Sequence, residues 1–159
     1  RLRSRGLGDV YKTQLYDDNF LKERGCKAAH FYDKKLSFAV PVSHSLCSKS
    51  KIEMRDLRGQ RVLLIRRNWN EYIDKLREDL TANGTEIVDF DMFNLNAFNR
   101  AAQENIPIIT VEGWEDVHPL LRIVPADWEY RIPFGILYSP TPTKQVKDFI
   151  AALQRITKV

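Results

Sequence analysis

The residues of this chain that could engage a small molecule gather at three places, each where an apolar run ends. Arg66, Asn68 and Trp69 follow Val62 to Ile65. Asn94 and Asn96 follow Glu86 to Phe90, and Glu112 and Trp114 follow Ile106 to Val111. Arg66 beside a helix start would suit a carboxylate, because free first-turn amides and partial positive charge reinforce the guanidinium. Trp69 and Trp114 offer flat apolar walls, and the Asn side chains could fix orientation, the usual make-up of a small-molecule cleft. Plainer roles stay open: the Asn residues as helix caps, the Trp residues as packing, and Arg66 as surface.

The types and spacings that catalysis needs are absent. There is no GxSxG, GxxxxGK or GxGxxG. Asp89 and Asp91 bracket a strand end and read as a solvated terminus rather than an acid/base pair. His30, His44 and His118 lie far apart and fit no ligand spacing, so no metal and no cofactor is expected. Cys26 and Cys47 form no CxxC and read as reduced thiols. The chain is therefore expected not to be an enzyme. The net charge of +4 argues little for nucleic acid. Arg1, Arg3, Arg5 and Lys12 face only Asp9 in the first fourteen residues, which leaves the body nearly neutral. No run approaches the roughly 18 apolar residues of a membrane span and no signal peptide opens the chain, so the cytoplasm is the expected location.

The elements that must position these residues read as α/β. With 159 residues and 43% apolar content the chain suffices for one domain or two small lobes. Leu36, Phe38 and Val40 alternate with Ser37 and Ala39 as in a half-buried strand, whereas Val62 to Ile65 is the unbroken apolar run of a strand covered on both faces. The long polar stretch between them is expected to carry the chain from one lobe to another. Tyr72, Ile73, Leu76 and Leu80 share a helix face, capped by Asn68 or Asn70 and stopped at Asn83-Gly84. Glu86 to Phe90 is a strand. Leu95, Phe98 and Ala102 mark a helix capped by Asn94 or Asn96, and Ile106 to Val111 is a strand with Pro107 at its beginning or edge. Strand, helix, strand, helix, strand means a small parallel sheet. Further on, Leu120 to Val124 is a short apolar run and Arg131 to Tyr138 a strand. Thr141-Pro142 reads as the start of a last helix with Val146, Phe149, Ile150, Leu153 and Ile156 on its apolar face. Between Leu15 and Lys34 only a cap at Asp17 to Asn19 and a stop at Gly25 stand out. Residues 1–14 look like an adaptor scar or disordered tail and are excluded from the fold.

Val40-Pro41-Val42-Ser43-His44-Ser45-Leu46, then Ile52, then Asp56-Leu57-Arg58-Gly59 before an apolar strand, resembles the effector-binding domain of LysR-type transcriptional regulators. Ser45 stands where Pro is usual and Cys47 where Ala is usual. FNLNAFN, GWEDVHPLLRIVPADWEYRIPFGILYS and PTPTKQVKDFIAALQ also resemble one subgroup of that family, so the likeness runs over residues 15–156.

The resemblance implies a type II periplasmic-binding-protein-like fold: two α/β lobes joined by two crossover strands. Residues 15–58 and 113–159 would form an incomplete first lobe, and 59–112 the second. It further implies that a small effector, a carboxylate or aromatic metabolite, binds in the interlobe cleft and so biases a dimer or tetramer. The residues read above from strand ends and helix starts, Arg66, Asn68, Trp69, Asn94, Asn96, Glu112 and Trp114, are the ones expected to contact it. The chain opens on Arg1 and carries no winged helix-turn-helix, so it reads as a piece of a longer regulator, with DNA contacted only through that absent N-terminal domain and no membrane partner. A periplasmic-type solute-binding protein is the alternative reading, and a small α/β enzyme the second alternative.

Overall fold

The computed structural model describes residues 10–157, which divide into two compact units, Lys35–Arg131 and the two flanking segments 10–34 and 132–157. The chain enters the larger unit at Lys35 and leaves it after Arg131.

In the flanking unit, β1 (Val10–Leu15) pairs antiparallel with β7 (Arg131–Tyr138), with Thr13 opposite Ile136. Residues 10–14, read from sequence as tail, are thus part of a sheet; residues 1–9 lie outside the described residues. Helix α1 (Asp18–Arg24) starts where Asp17 accepts the Phe20 N–H at 2.7 Å and stops at Gly25, whose φ of +59° is left-handed. The next strand, β2 (Lys27–Pro41), runs fifteen residues, well past the Leu36 to Val40 expected. Its first half neighbours β7 so closely that a Cβ on Gly135 would stand 2.2 Å from the Ala29 carbonyl oxygen. Helix α4 (Lys144–Thr157) lays Val146 and Ile150 on Ala29 and Ile136. It begins at Thr143 rather than Thr141-Pro142. The Thr143 carbonyl takes the Lys147 N–H, and its hydroxyl takes the Val146 N–H at 3.3 Å. Ile156, expected on the apolar face, is exposed.

In the larger unit, β3 (Arg61–Ile65) is the middle of three parallel strands. It pairs on one side with β4 (Glu86–Phe90), Val62 opposite Ile87, and on the other with β5 (Ile108–Val111), Leu63 opposite Ile108. The second half of β2 lies antiparallel to β5, Leu36 opposite Val111, and β6 (Leu121–Val124) pairs antiparallel with β2. Pro107 precedes β5 and offers only its carbonyl, to the Leu63 N–H, which suits a residue with no donor. Helix α2 (Glu71–Ala82) buries Ile73, Leu76 and Leu80; α3 (Leu95–Glu104) buries Ala97, Phe98 and Ala101.

The connection 42–60 stays inside this unit instead of passing between lobes. It forms two short 3-10 turns, Ser45–Ser48 and Met54–Leu57, and buries Leu46, Ile52 and Leu57. Ile52 also trades backbone hydrogen bonds with Pro125 and Asp127. Residues 35–58 and 113–131, expected in the first lobe, therefore pack with 59–112: the apolar side chains scattered through these polar stretches have their partners there. Among the described residues no helix is long and apolar enough to cross a membrane.

Candidate functional site

Strand β3 comes first in sequence but lies between β4 and β5. The connection from β3 goes to one side and the connection from β4 crosses back to the other. Open α/β sheets bind ligands at such a reversal, outside the carboxyl ends of the strands. The loops leaving Ile65, Phe90 and Val111 all emerge at that edge, and they carry six of the seven residues singled out from sequence, with Asn96 just inside the helix that follows the second loop.

A cluster of rings joins these loops. Phe93, from the loop after β4, meets Trp69 at 5.5 Å, Phe90 at 5.0 Å and Trp114 at 4.9 Å between ring centroids, with interplanar angles of 74°, 74° and 86°. Trp114 also meets Phe98 of α3 at 6.1 Å. Edge-to-face geometry sets the positive ring edge against the negative face, a preferred arrangement at these distances. Trp69, Phe93 and Trp114 are half-buried, so one side of the cluster remains open to solvent. The sequence reading supplied both Trp residues but assigned Phe90 and Phe98 only to a strand end and a helix face, and did not single out Phe93. The signal available was an aromatic residue in or after each parallel strand end.

Arg66 is exposed. Its backbone N–H continues the sheet by donating to Phe90 O at 2.8 Å, and among the described residues no ion pair engages its guanidinium. Asn68 does not cap α2. It sits at φ +65°, with its N–H donating to the Asp74 carboxylate at 3.0 Å. The cap is Asn70, 3% exposed, which accepts the Tyr72 N–H at 3.0 Å. Asn94 caps α3 through the Ala97 N–H at 3.1 Å, so its amide oxygen is already engaged. Asn96 lies inside the first turn of α3 and is exposed. Glu112 accepts the Lys35 N–H at 3.1 Å and donates its own N–H to Lys35 O at 2.9 Å. The structure thus brings Trp69 and Trp114 together through Phe93, places Asn94 and Asn96 at the start of the helix that follows Phe93, and turns Glu112 toward β2.

Two further residues hold the edge in place. Arg77, on α2 and only 5% exposed, donates to Ile65 O at 2.6 Å and pairs with Asp89 at 2.7 Å, tying together the ends of β3 and β4. Asp89 is therefore a partner of Arg77, not one half of a carboxylate pair with Asp91. His118 accepts the Leu120 N–H on Nδ1 at 3.1 Å. Its Nε2 therefore carries the proton and donates to Asn99 Oδ1 at 3.0 Å, which pins the loop after β5 onto α3. Among the described residues no group of three His, Cys, Asp or Glu could hold a metal ion.

No protein-family model and no curated protein matches the sequence. Solved structures do match. The regulatory domain of CcmR from Synechocystis PCC6803, in complex with 2-PG, has a TM-score of 0.66 at 14% identity, over 95% of this chain and 74% of that one. CbnR, a LysR family transcriptional regulator, has a TM-score of 0.71 at 13% identity; 92% of this chain spans about half of it, 52%. Holo ArgBP from T. maritima has a TM-score of 0.57 at 13% identity, over 93% of this chain and 63% of that one. The chain has the α/β fold of LysR-type effector-binding domains and of type II periplasmic binding proteins.

Proposed function

We propose that this chain is the effector-sensing part of a LysR-type transcriptional regulator. A small metabolite with a flat or apolar body binds against Trp69, Phe93 and Trp114, with a carboxylate or similar anion at Arg66. The observation that carries this reading is the ring cluster, which gathers the three loops at the reversal between β3 and β5. Asn68 and Asn96, both exposed, supply side-chain amides that orient the ligand. The likeness to a regulatory domain solved with 2-PG and to a LysR family regulator supports sensing over catalysis. DNA is contacted through a winged helix-turn-helix elsewhere in the regulator, which works in the cytoplasm as a dimer or tetramer. The effector acts by binding one conformation better than another.

The test is calorimetry of the full-length regulator against a panel of aromatic and aliphatic carboxylates. A binder is expected to lose at least about tenfold in affinity on Arg66→Gln or Trp69→Ala, the scale of one charge-assisted hydrogen bond or one ring contact. Unchanged affinity in both variants would place the ligand elsewhere. The likeness to holo ArgBP keeps a solute-binding protein as the second reading. The coding frame upstream separates the two: a helix-turn-helix pattern marks a regulator, a secretion signal a solute-binding protein.

A further inference from the structure

We propose that Glu112 is a positioning residue that couples the ring cluster to β2 at the point where the chain enters the Lys35–Arg131 unit. This rests on the cluster being the ligand's seat, and it adds how occupancy there would be passed on.

Lys35 and Glu112 extend the β2–β5 ladder by one pair beyond Leu36 and Val111. In an antiparallel pair of this kind each residue's N–H donates to the other's carbonyl. Here only one of those bonds is ordinary, Glu112 N–H to Lys35 O at 2.9 Å. In the other, the Lys35 N–H goes to the Glu112 side-chain carboxylate at 3.1 Å instead of the main-chain carbonyl. A side-chain acceptor holds β2 in register while freeing the main-chain carbonyl of Glu112, though not its N–H, from the ladder. The chain uses that release at once. Gly113 turns at φ +90°, a conformation that favours glycine, and Trp114 then reaches Phe93.

Trp114 is thus two residues from a closed pair of hydrogen bonds on Lys35. The next residue of β2 is held just as firmly: Leu36 N–H donates to Tyr130 O at 2.9 Å, and Trp128 Nε1–H donates to Leu36 O at 2.7 Å. A displacement of Trp114 has one soft joint, Gly113, before it reaches the carboxylate that fixes the start of this segment of β2.

Amide hydrogen exchange on the full chain tests this without any ligand. Trp114→Ala is expected to speed exchange of the Lys35 N–H about tenfold, the scale of one hydrogen bond to a charged group. In a Glu112→Ala background the Lys35 amide is already fast, and Trp114→Ala adds less than about twofold. Glu112→Gln, which keeps an acceptor oxygen, retains most of the protection. The Leu63 amide of β3 reports overall unfolding, and Trp114→Phe keeps a ring in place should the alanine variant unfold. Equal effects of Trp114→Ala in both backgrounds, or no effect on Lys35 in the native one, would overturn the coupling. Calorimetry that finds no carboxylate binder while this coupling holds would remove the ligand reading alone.

Discussion

Replacing Phe93 asks whether three loops form one site. Its ring makes three edge-to-face contacts, with Trp69, Phe90 and Trp114. Such pairs contribute about 0.5–1.5 kcal/mol each beyond buried area, and because they share one ring their sum is an upper bound. Phe93→Leu keeps most of the apolar area and loses the ring edges, so it should cost roughly 1–2 kcal/mol. Phe93→Ala also loses the area of a half-buried side chain, and the cost rises to about 3 kcal/mol, the low end for Phe truncation. Urea unfolding followed by tryptophan emission measures both. The chain has three tryptophans, and Trp128 is only 8% exposed, so it is a steady background for quenching of the folded state while reporting global unfolding in urea. Acrylamide should quench Trp69 and Trp114 more readily in either variant. A cost below about 0.5 kcal/mol with unchanged quenching would show that the rings touch without holding the loops together.

Asn70→Ala removes a buried cap and should lower stability by about 1–2 kcal/mol, with Asn70→Asp recovering most of it in the same urea titration. Asn68→Gly should leave the urea midpoint unchanged or slightly raised, because φ +65° suits glycine, whereas Asn68→Val should cost roughly 1–2 kcal/mol. Gly135→Ala sets a methyl group against the Ala29 carbonyl, and thermal unfolding should show a loss of about 3 kcal/mol or more. Burial and the hydrogen bond to Asp79 push the Tyr130 phenol up to about 12. A raised folded value means its contribution is complete below the unfolded value near 10 and is lost as pH rises from there toward 12. Absorbance at 295 nm should show a late-ionising component that is lost in Tyr130→Phe.

Most of the larger unit could be read from local pattern. Val62 to Ile65 is apolar because β3 lies between two paired strands with the side chains on both of its faces fully buried, and Asn94 before Leu95 is a cap both in pattern and in fact. What escaped was set by distant partners. Residues 27–34 alternate poorly because that half of β2 is mostly exposed, yet β7 fixes them as strand. Residues 42–60 look polar because only a few positions, Ile52 and Leu57 among them, face inward. Asn68 and Asn70 were equivalent caps on paper, and the left-handed turn at Asn68 decided between them. The site was visible as loops. Phe93 and Arg77 were not, because nothing local distinguishes a ring or a cation that ties strands together from one at the surface.

The larger unit starts and finishes on neighbouring threads, since Leu36 is hydrogen-bonded to Tyr130. A segment whose termini meet is built like a cassette. Moved into any host loop whose ends stand one strand spacing apart, it would bring its ring-lined edge along intact, and the host would have only a single short gap to close.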